Sequence, residues 1–433
     1  MNIHTISELG DLSAHGATEA GIRGKYVLLR DDFNVQIVDG KITDAFRIEQ
    51  SLPTIRLLKE KGARIAICAH LGRPEVGPDL RAGRINETAA SSMPPHQFPS
   101  KYSLLPIARA LSELLGEPVP LIPDCIGERV ANARRDMTDG DVVMLENVRF
   151  HAGEESNDPE FARQLADGFD IYVNDAFAVS HRAHASVVGV TKFLPSYAGE
   201  LLNNEIAKLS AVIKNPARPL VGIISSSKVK SKVGIIKAMA KLCDKLILGG
   251  GIGTGFLVAM GADNIVQGET NIEKIAGDDG IRDFIRTTMK EYGDKIILPV
   301  EKGVGPKWDR SAPRTDKMIA DILPNDIVMD EGPASVTEYE RVIAGAKTVI
   351  WNGTVGMAEW PPVWSRGTFA LVNYIAARTR EGKLESIFGG GDAVAALEAT
   401  GTKDDMTYVS TGGGAFLEFI EGRELPGIKA LEK

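Results

Sequence analysis

Ser386-Ile387-Phe388-Gly389-Gly390-Gly391-Asp392 sets a short apolar run directly against three glycines and a carboxylate. The run is too short for a helix and does not alternate, so it reads as a strand buried on both faces. Glycines after such a strand let the main chain approach a ligand closely. A helix starting just beyond them would aim its free N–H groups at an anion. The same order recurs in the second half of the chain. Ile247-Leu248 runs into Gly249-Gly250-Gly251, Ile350-Trp351 into Asn352-Gly353, and Val409-Ser410-Thr411 into Gly412-Gly413-Gly414, each ahead of an expected helix. One glycine loop is what any tight turn needs. Four at strand carboxyl ends, the edge where open α/β sheets bind ligands, predict a phosphate-bearing ligand in this half.

Working outward, Leu220–Ile224, Lys245–Leu248, Lys295–Leu298, Thr348–Ile350 and Ser386–Phe388 read as strands of one sheet. Tyr26–Leu29, Arg64–Ala69, Val142–Leu145 and Ile171–Val173 read as strands of another. Ile48–Lys61, Leu104–Leu115, Lys232–Cys243 and Gly367–Arg380 carry helical spacing between them. Strands alternating with helices predict parallel sheets covered on both faces. One sheet of so many strands would be unusual, so the expected fold is α/β with two doubly wound parallel-sheet domains. Glu200–Ile213 repeats Leu201, Leu202, Ile206, Leu209, Val212 and Ile213 at helical intervals and is expected to join the domains as a hinge helix. Glu75–Ser100 is rich in Pro, Gly, Ser and Ala without a period and is expected to be a long surface loop.

Composition narrows the function. A chain of 433 residues with a formal net charge of −8 has no general attraction for nucleic acid. An anionic ligand would need a local basic patch. No apolar run approaches the ~20 residues that span a bilayer. Glu8, Asp11 and Glu19 precede the first basic residue, Arg23, which argues against a signal or transit peptide. Cys68, Cys125 and Cys243 are odd in number and widely spaced, which suggests reduced thiols in the cytoplasm.

Two nucleotide fingerprints are absent. There is no Gly-x-x-x-x-Gly-Lys-Ser/Thr, and Gly249–Gly255 fails Gly-x-Gly-x-x-Gly because Thr254 holds the third glycine's place. The first half instead gathers basic residues after its strands. Arg30 and Asn34 flank the end of the first, and Arg47 opens the first long helix. His70 and Arg73 follow the second strand, Arg149 the third, and His181, Arg182 and His184 the fourth. A lone arginine is usually a solvated charge. Five groups at one sheet edge predict an anion site, because arginine grips phosphate and carboxylate through a rigid fork. His181-x-x-His184 lacks the cysteine or acidic company a metal would want. An anion site on each of two hinged domains suits phosphoryl transfer, which needs positioning, charge neutralisation and exclusion of water.

These residues resemble the phosphoglycerate kinase family over nearly the whole chain. The motifs are Asp32-Phe33-Asn34-Val35, Asp39-Gly40-Lys41-Ile42-Thr43-Asp44 with Arg47-Ile48, and His70-Leu71-Gly72-Arg73-Pro74. Leu145-Glu146-Asn147-Val148-Arg149-Phe150, Asn174-Asp175-Ala176-Phe177 and His181-Arg182-Ala183-His184-Ala185-Ser186 follow, then Trp351-Asn352-Gly353, Gly389–Asp392 and Ser410–Ala415. The resemblance implies reversible phosphoryl transfer between 1,3-bisphosphoglycerate and ADP, giving 3-phosphoglycerate and ATP, in glycolysis, gluconeogenesis or carbon fixation. It implies that Asp32, Asn34, His70, Arg73, Arg149 and Arg182 hold 3-phosphoglycerate, with Arg47 on both substrate and migrating group. Lys228 and Lys232 would meet the nucleotide phosphates, Lys232 with a catalytic role. Asn352, Glu359, Gly389, Gly390 and Gly391 would contact the nucleotide, and Asp392 would hold Mg²⁺ of the metal–nucleotide complex. Residues 1–198 would bind 3-phosphoglycerate and 199–411 the nucleotide, with 412–433 returning to the first domain. A cytoplasmic monomer is expected, acting on small molecules, with neither nucleic acid nor membrane as partner.

Several positions depart from the family pattern. Asp31 stands beside Asp32 where an apolar residue is usual, an extra carboxylate unless Arg30 neutralises it. Ser225-Ser226-Ser227-Lys228 replaces Gly-Gly-Ala-Lys, Ser231 replaces Asp, Thr354 replaces Pro, Ala393 replaces Thr, and Glu301 replaces Asp. Three readings follow: an active kinase, a weakened paralogue that senses 3-phosphoglycerate, and a kinase with altered nucleotide preference.

Overall fold

Strand β1 (Tyr26–Arg30) buries every residue after its first. Val27 and Leu29 join one apolar cluster while Leu28 joins another, as a strand with both faces covered requires. The computed structural model describes residues 3–10, 21–74, 100–227, 229–262, 265 and 278–433. These form two compact units, one running to Ala207 and including Glu424–Lys433, the other Lys208–Arg423.

In the first unit β1 is followed by a small hairpin, β2 (Ile37–Val38) and β3 (Lys41–Ile42). Then come β4 (Arg64–Cys68), β5 (Leu121–Ile122), β6 (Val142–Leu145), β7 (Ile171–Asn174) and β8 (Ser196–Ala198). The parallel sheet has the order β5-β6-β4-β1-β7-β8. Helices Phe46–Glu60 and Leu105–Leu115 cover one face through Ile48, Leu52, Ile55, Leu58, Ile107 and Leu111. Helices Glu128–Asp136 and Pro159–Ala166 cover the other through Val130, Phe161 and Leu165.

The second unit holds β9 (Leu220–Ser225), β10 (Lys245–Gly249), β11 (Ile296–Ile297), β12 (Glu301–Gly305), β13 (Thr315–Met318), β14 (Ile327–Glu331), β15 (Thr348–Asn352), β16 (Glu385–Gly389) and β17 (Tyr408–Val409). Its parallel sheet runs β11-β10-β9-β15-β16-β17. The strand order therefore reverses between β9 and β15, the switch point at which doubly wound sheets open a crevice. Three helices, Pro333–Ala344, Arg366–Arg380 and Gly391–Thr400, pack Tyr339, Leu371 and Leu397 onto one face.

Several expectations change. Lys295–Leu298 shortens to the two residues of β11. An antiparallel sheet, β13-β12-β14, was not expected. Asn352-Gly353 leads into turns, and the next helix starts only at Arg366. The division between units falls after Ala207, inside the helix Glu200–Lys214, rather than at 198. The first turn of that helix is tied to the first unit, where Glu200 N–H donates to Thr54 Oγ1 (2.8 Å) and Leu202 N–H to Asp175 Oδ1 (3.0 Å). The chain returns later than 412. Helix Gly414–Ile420 packs on helix Val233–Leu242 in the second unit, and only Glu424–Lys433 joins the first. There Gly427 N–H donates to Ser180 O (2.8 Å) and His4 N–H to Leu431 O (3.1 Å). The expected loop at 75–100 lies outside the described residues up to 99, and Ser100 opens a 3₁₀ turn, Ser100–Tyr102.

Candidate functional site

In the second unit, the close approach of strand ends needs glycine. Gly353 has φ +84°, and a Cβ there would sit 2.0 Å from the Ser225 carbonyl oxygen. Gly390 has φ +100°, and its Cβ would meet Asn352 Nδ2 at 2.6 Å. L-residues rarely adopt this conformation, so side chains at either position would force β9, β15 and β16 apart. The ends stay together and a cavity of about 920 Å³ opens at the switch point. Its wall includes Ser225, Ser226 and Ser227 after β9, Gly250 and Gly251 after β10, Asn352–Glu359 after β15, and Gly390–Asp392 after β16.

Of the nucleotide-side residues, Lys232, Asn352, Glu359, Gly390, Gly391 and Asp392 line this cavity. Gly389 lies behind the wall, where its carbonyl accepts from Asn352 Nδ2 (2.6 Å). Lys228 falls outside the described residues. Burial lowers the Lys232 ammonium below the ordinary lysine value, and the charges of Asp392 and Glu421 pull it the other way. Asp392 is exposed in the first turn of helix Gly391–Thr400. The Ser225 hydroxyl donates to the Thr354 carbonyl (2.6 Å). It therefore ties the loop after β9 to the loop after β15.

The cavity wall also includes Lys302, which the sequence did not single out. Lys302 in β12 and Glu331 at the end of β14 are fully buried and paired at 2.7 Å. Glu331 Oε1 also accepts from Gly250 N–H (2.9 Å), while Lys302 Nζ donates to Gly250 O (3.4 Å). This ion pair grips both main-chain groups of the middle glycine of the Gly249–Gly251 loop. Asp330, also in the wall, is held by Arg314 (2.6 Å) and Gly367 N–H (3.0 Å).

In the first unit, Asp32, Asn34, Arg47, His70, Arg73, Arg149 and Arg182 all lie in segments beyond the carboxyl ends of β1, β4, β6 and β7. Asn34 Oδ1 accepts from Gly72 N–H (2.8 Å), and Arg149 Nη1 donates to Gly72 O (2.7 Å). Two predicted residues therefore fix the loop that carries Arg73, which is exposed. The Arg47 guanidinium donates to the Asp32 carboxylate. Burial would raise the Asp32 carboxyl, but Arg47 and Arg30, with the Asn34 N–H, hold it below its usual range. His70 is pushed well below the ordinary histidine value by burial and by three arginines, against Asp32. It is thus a neutral ring within a cationic patch. Arg182 Nε donates to His181 Nε2 (3.2 Å), and His184 Nδ1 lies 3.7 Å from Glu154 Oε1.

Asp31 is buried, and neither carboxylate oxygen has a hydrogen-bond partner among the described residues. Arg30 does not supply one. Its guanidinium reaches Ser186 Oγ (2.8 Å), the Asp31 carbonyl and His70 Nδ1 (3.4 Å). Burial, and then the Asp175 charge, raise the Asp31 carboxyl well above its usual value. A protonated Asp31 adds no negative charge to the anion patch. The folded chain thus keeps a proton that the unfolded chain releases near pH ~4. Its carboxyl costs the fold nothing in acid and progressively more as pH rises. Asp31→Asn should therefore gain stability relative to the parent as pH rises above about 4. Paired thermal melts test this; a difference that shrinks with rising pH would show that Asp31 is ionised in the fold.

The comparisons with known proteins bear on this pair of sites. A family model described as "Phosphoglycerate kinase" matches residues 17–423. The chain is 42% identical over 411 residues to a protein named "Phosphoglycerate kinase" from Methylorubrum extorquens (strain PA1), covering 95% of this chain and 96% of that one. It is 41% identical over 436 residues to the protein of that name from Sinorhizobium medicae (strain WSM419), covering all of both. Among solved structures it is similar to phosphoglycerate kinase from Coxiella burnetii, with TM-score 0.74, 36% identity, and 95% and 96% of the two chains covered. It is also similar to that from Pyrococcus horikoshii OT3, with TM-score 0.79, 28% identity and the same coverage.

Proposed function

The chain belongs to the phosphoglycerate kinase family and is a kinase that moves a phosphoryl group between 1,3-bisphosphoglycerate and ADP, and on that premise we propose how its residues divide the work. The first unit binds 3-phosphoglycerate. Arg149, Arg182 and Arg73 supply donors to its phosphate and carboxylate, and Asn34 and His70 shape the site as neutral partners. Asp32 orients Arg47, whose guanidinium faces the charge that develops on the migrating group.

The second unit binds the nucleotide in the cavity at the β9/β15 switch point, its phosphates on the glycine loops and on Lys232. Lys228 and Lys232 neutralise the phosphates, and Lys232 also stabilises the transferring group. Asn352, Glu359 and Gly389–Gly391 position the nucleotide. The exposed carboxylate of Asp392 is a hard oxygen donor, suited to Mg²⁺ that keeps most of its waters and takes its other ligands from phosphates. When bound, that ion supplies further neutralisation of the nucleotide charge. The observation that carries this reading is Lys232 and Asp392 lining one cavity at a switch point. Work in the cytoplasm is supported by three buried, free thiols. Among the described residues, no helix is long and apolar enough to cross a membrane.

Isothermal calorimetry tests the division. Both 3-phosphoglycerate and MgADP should bind with Kd below about 1 mM. Asp392→Ala should weaken MgADP while leaving 3-phosphoglycerate unchanged. Binding of 3-phosphoglycerate without any MgADP binding in the parent protein would favour a sensor instead.

A further inference from the structure

We propose that Asp124, Cys125 and His151, none of them assigned to either substrate site, form a binding site for a thiophilic divalent metal of the zinc class. One ligand atom from each residue lies within 4.8 Å of the other two. The three come from two neighbouring strand ends. Asp124 and Cys125 follow the edge strand β5, and His151 follows the turn Val148–Phe150 after β6.

Main-chain bonds hold these ends together. Glu146 N–H donates to Ile122 O (3.1 Å) and to Asp124 O (3.2 Å), and His151 N–H donates to Val148 O (3.2 Å). The His151 ring stacks on Phe161 with centroids 5.1 Å apart and planes at 24°, so its orientation is set before any metal arrives. Its Nε2 already meets Asp124 Oδ1 at 2.9 Å.

The donor set chooses the metal. A thiolate, an imidazole and a carboxylate suit zinc in a tetrahedral site whose fourth position holds water. Mg²⁺ and Ca²⁺ want oxygen throughout and would gain little from sulfur. Bond lengths of about 2.0–2.3 Å to such a metal put its ligands roughly 3.5 Å apart, so shifts of about 1 Å complete the site.

Charge also balances. One dication, one thiolate and one carboxylate sum to zero, which is what a site against an apolar core can hold. Cys125 is buried in that core, while the Asp124 and His151 side chains are 12% and 13% exposed and leave a way in. Without metal, burial keeps the Cys125 thiol protonated. On binding, the Sγ–H proton leaves to water and a metal–sulfur bond replaces it, while the ring proton that faces Asp124 moves through water from His151 Nε2 to Nδ1, which leaves Nε2 free to ligate. The bound ion would join the loop after β5 to the segment that carries Arg149.

The test uses the full chain, freed of metal by chelation and kept in excess Mg²⁺ to occupy the nucleotide side. Titration with Co²⁺ should give one equivalent with thiolate-to-cobalt charge-transfer absorption and tetrahedral d–d bands, displaced by Zn²⁺. Cys125→Ser and His151→Gln should each weaken Co²⁺ by at least about 100-fold, with metal-free circular dichroism like the parent. X-ray absorption on the Zn²⁺-loaded parent, which needs no variant to fold, should show one sulfur near about 2.3 Å. No charge-transfer band, a band that survives Cys125→Ser, or a zinc shell of nitrogen and oxygen alone would each overturn the proposal and leave a hydrogen-bonded His–Asp pair.

Discussion

Replacing Arg47 by alanine is expected to lower kcat by about 10³–10⁵-fold while the protein stays folded. That loss corresponds to roughly 4–7 kcal/mol of transition-state stabilisation. Arg47 is the second residue of helix Phe46–Glu60, and the helix's first N–H, that of Phe46, donates to Asp44 Oδ1 (2.7 Å). A cation in the first turn opposes the helix dipole, so helix stability does not account for it. Its partner, Asp32, also accepts from Asn34 N–H (3.2 Å) and has the Arg30 charge nearby. Losing Arg47 thus leaves Asp32 accompanied, and the melting temperature should fall by only a few degrees. A residue that acts on the migrating group alone lowers kcat and kcat/KM together. The KM for 3-phosphoglycerate should accordingly move less than about 10-fold. Arg47→Lys keeps the charge but loses the planar fork, and should fall between parent and alanine. A coupled assay in which Arg47→Ala turns over at the parent rate would remove Arg47 from the reaction. An equal loss in Asp32→Asn would show that the carboxylate's hold on the guanidinium matters as much as its presence.

How much of this could be read in the chain depended on what each residue's surroundings demanded. Strands β6, β4, β1 and β7 of one parallel sheet and β10, β9, β15 and β16 of the other are central and largely buried on two faces, so their apolar runs announce them. The basic residues after β1, β4, β6 and β7 were legible because they share one sheet edge. Edge strands β5, β11 and β17 have two residues each, too few to show a period. The antiparallel sheet was hidden for another reason. Strand β12 carries two glycines, and β13 reads Thr315-Asp316-Lys317-Met318, mostly exposed. Neither has an apolar run or a clean alternation. Asp31 was visible as an oddity, but its protonation depends first on burial and then on Asp175, which follows β7. Arg30 was the natural neutraliser by adjacency, and the fold spends its donors on Ser186, His70 and a carbonyl instead. The late return of the chain depended on helix Gly414–Ile420 packing against helix Val233–Leu242, a contact that no local pattern encodes.

Lys302 is the residue whose removal should cost the second unit most. A lysine in a strand normally signals a solvated face, yet Lys302 is fully buried and its carboxylate partner stands 29 residues away in β14. Lys302→Met removes the cation and leaves Glu331 in a site where burial already raises its carboxyl above the usual range. Breaking such a pair from one side typically costs about 3–5 kcal/mol. The pH dependence follows from the same carboxyl. With its cation gone, the folded Glu331 binds a proton more tightly than the unfolded chain does, which releases it near pH ~4.3. Stability of the variant should therefore be closest to the parent near that pH and fall further behind as pH rises. Lys302→Met with Glu331→Gln removes both charges and should recover part of the loss. Function should change as well, because the Gly250 carbonyl loses its donor and the carboxylate that accepts from Gly250 N–H loses its cation. MgADP should bind more weakly in Lys302→Met while 3-phosphoglycerate binds as in the parent. Urea titrations at several pH values, with calorimetry at one, separate these effects. A single variant as stable as the parent at alkaline pH would mean that the pair contributes nothing to the fold. Weakening of both ligands alike would mean that the damage spreads beyond the glycine loop.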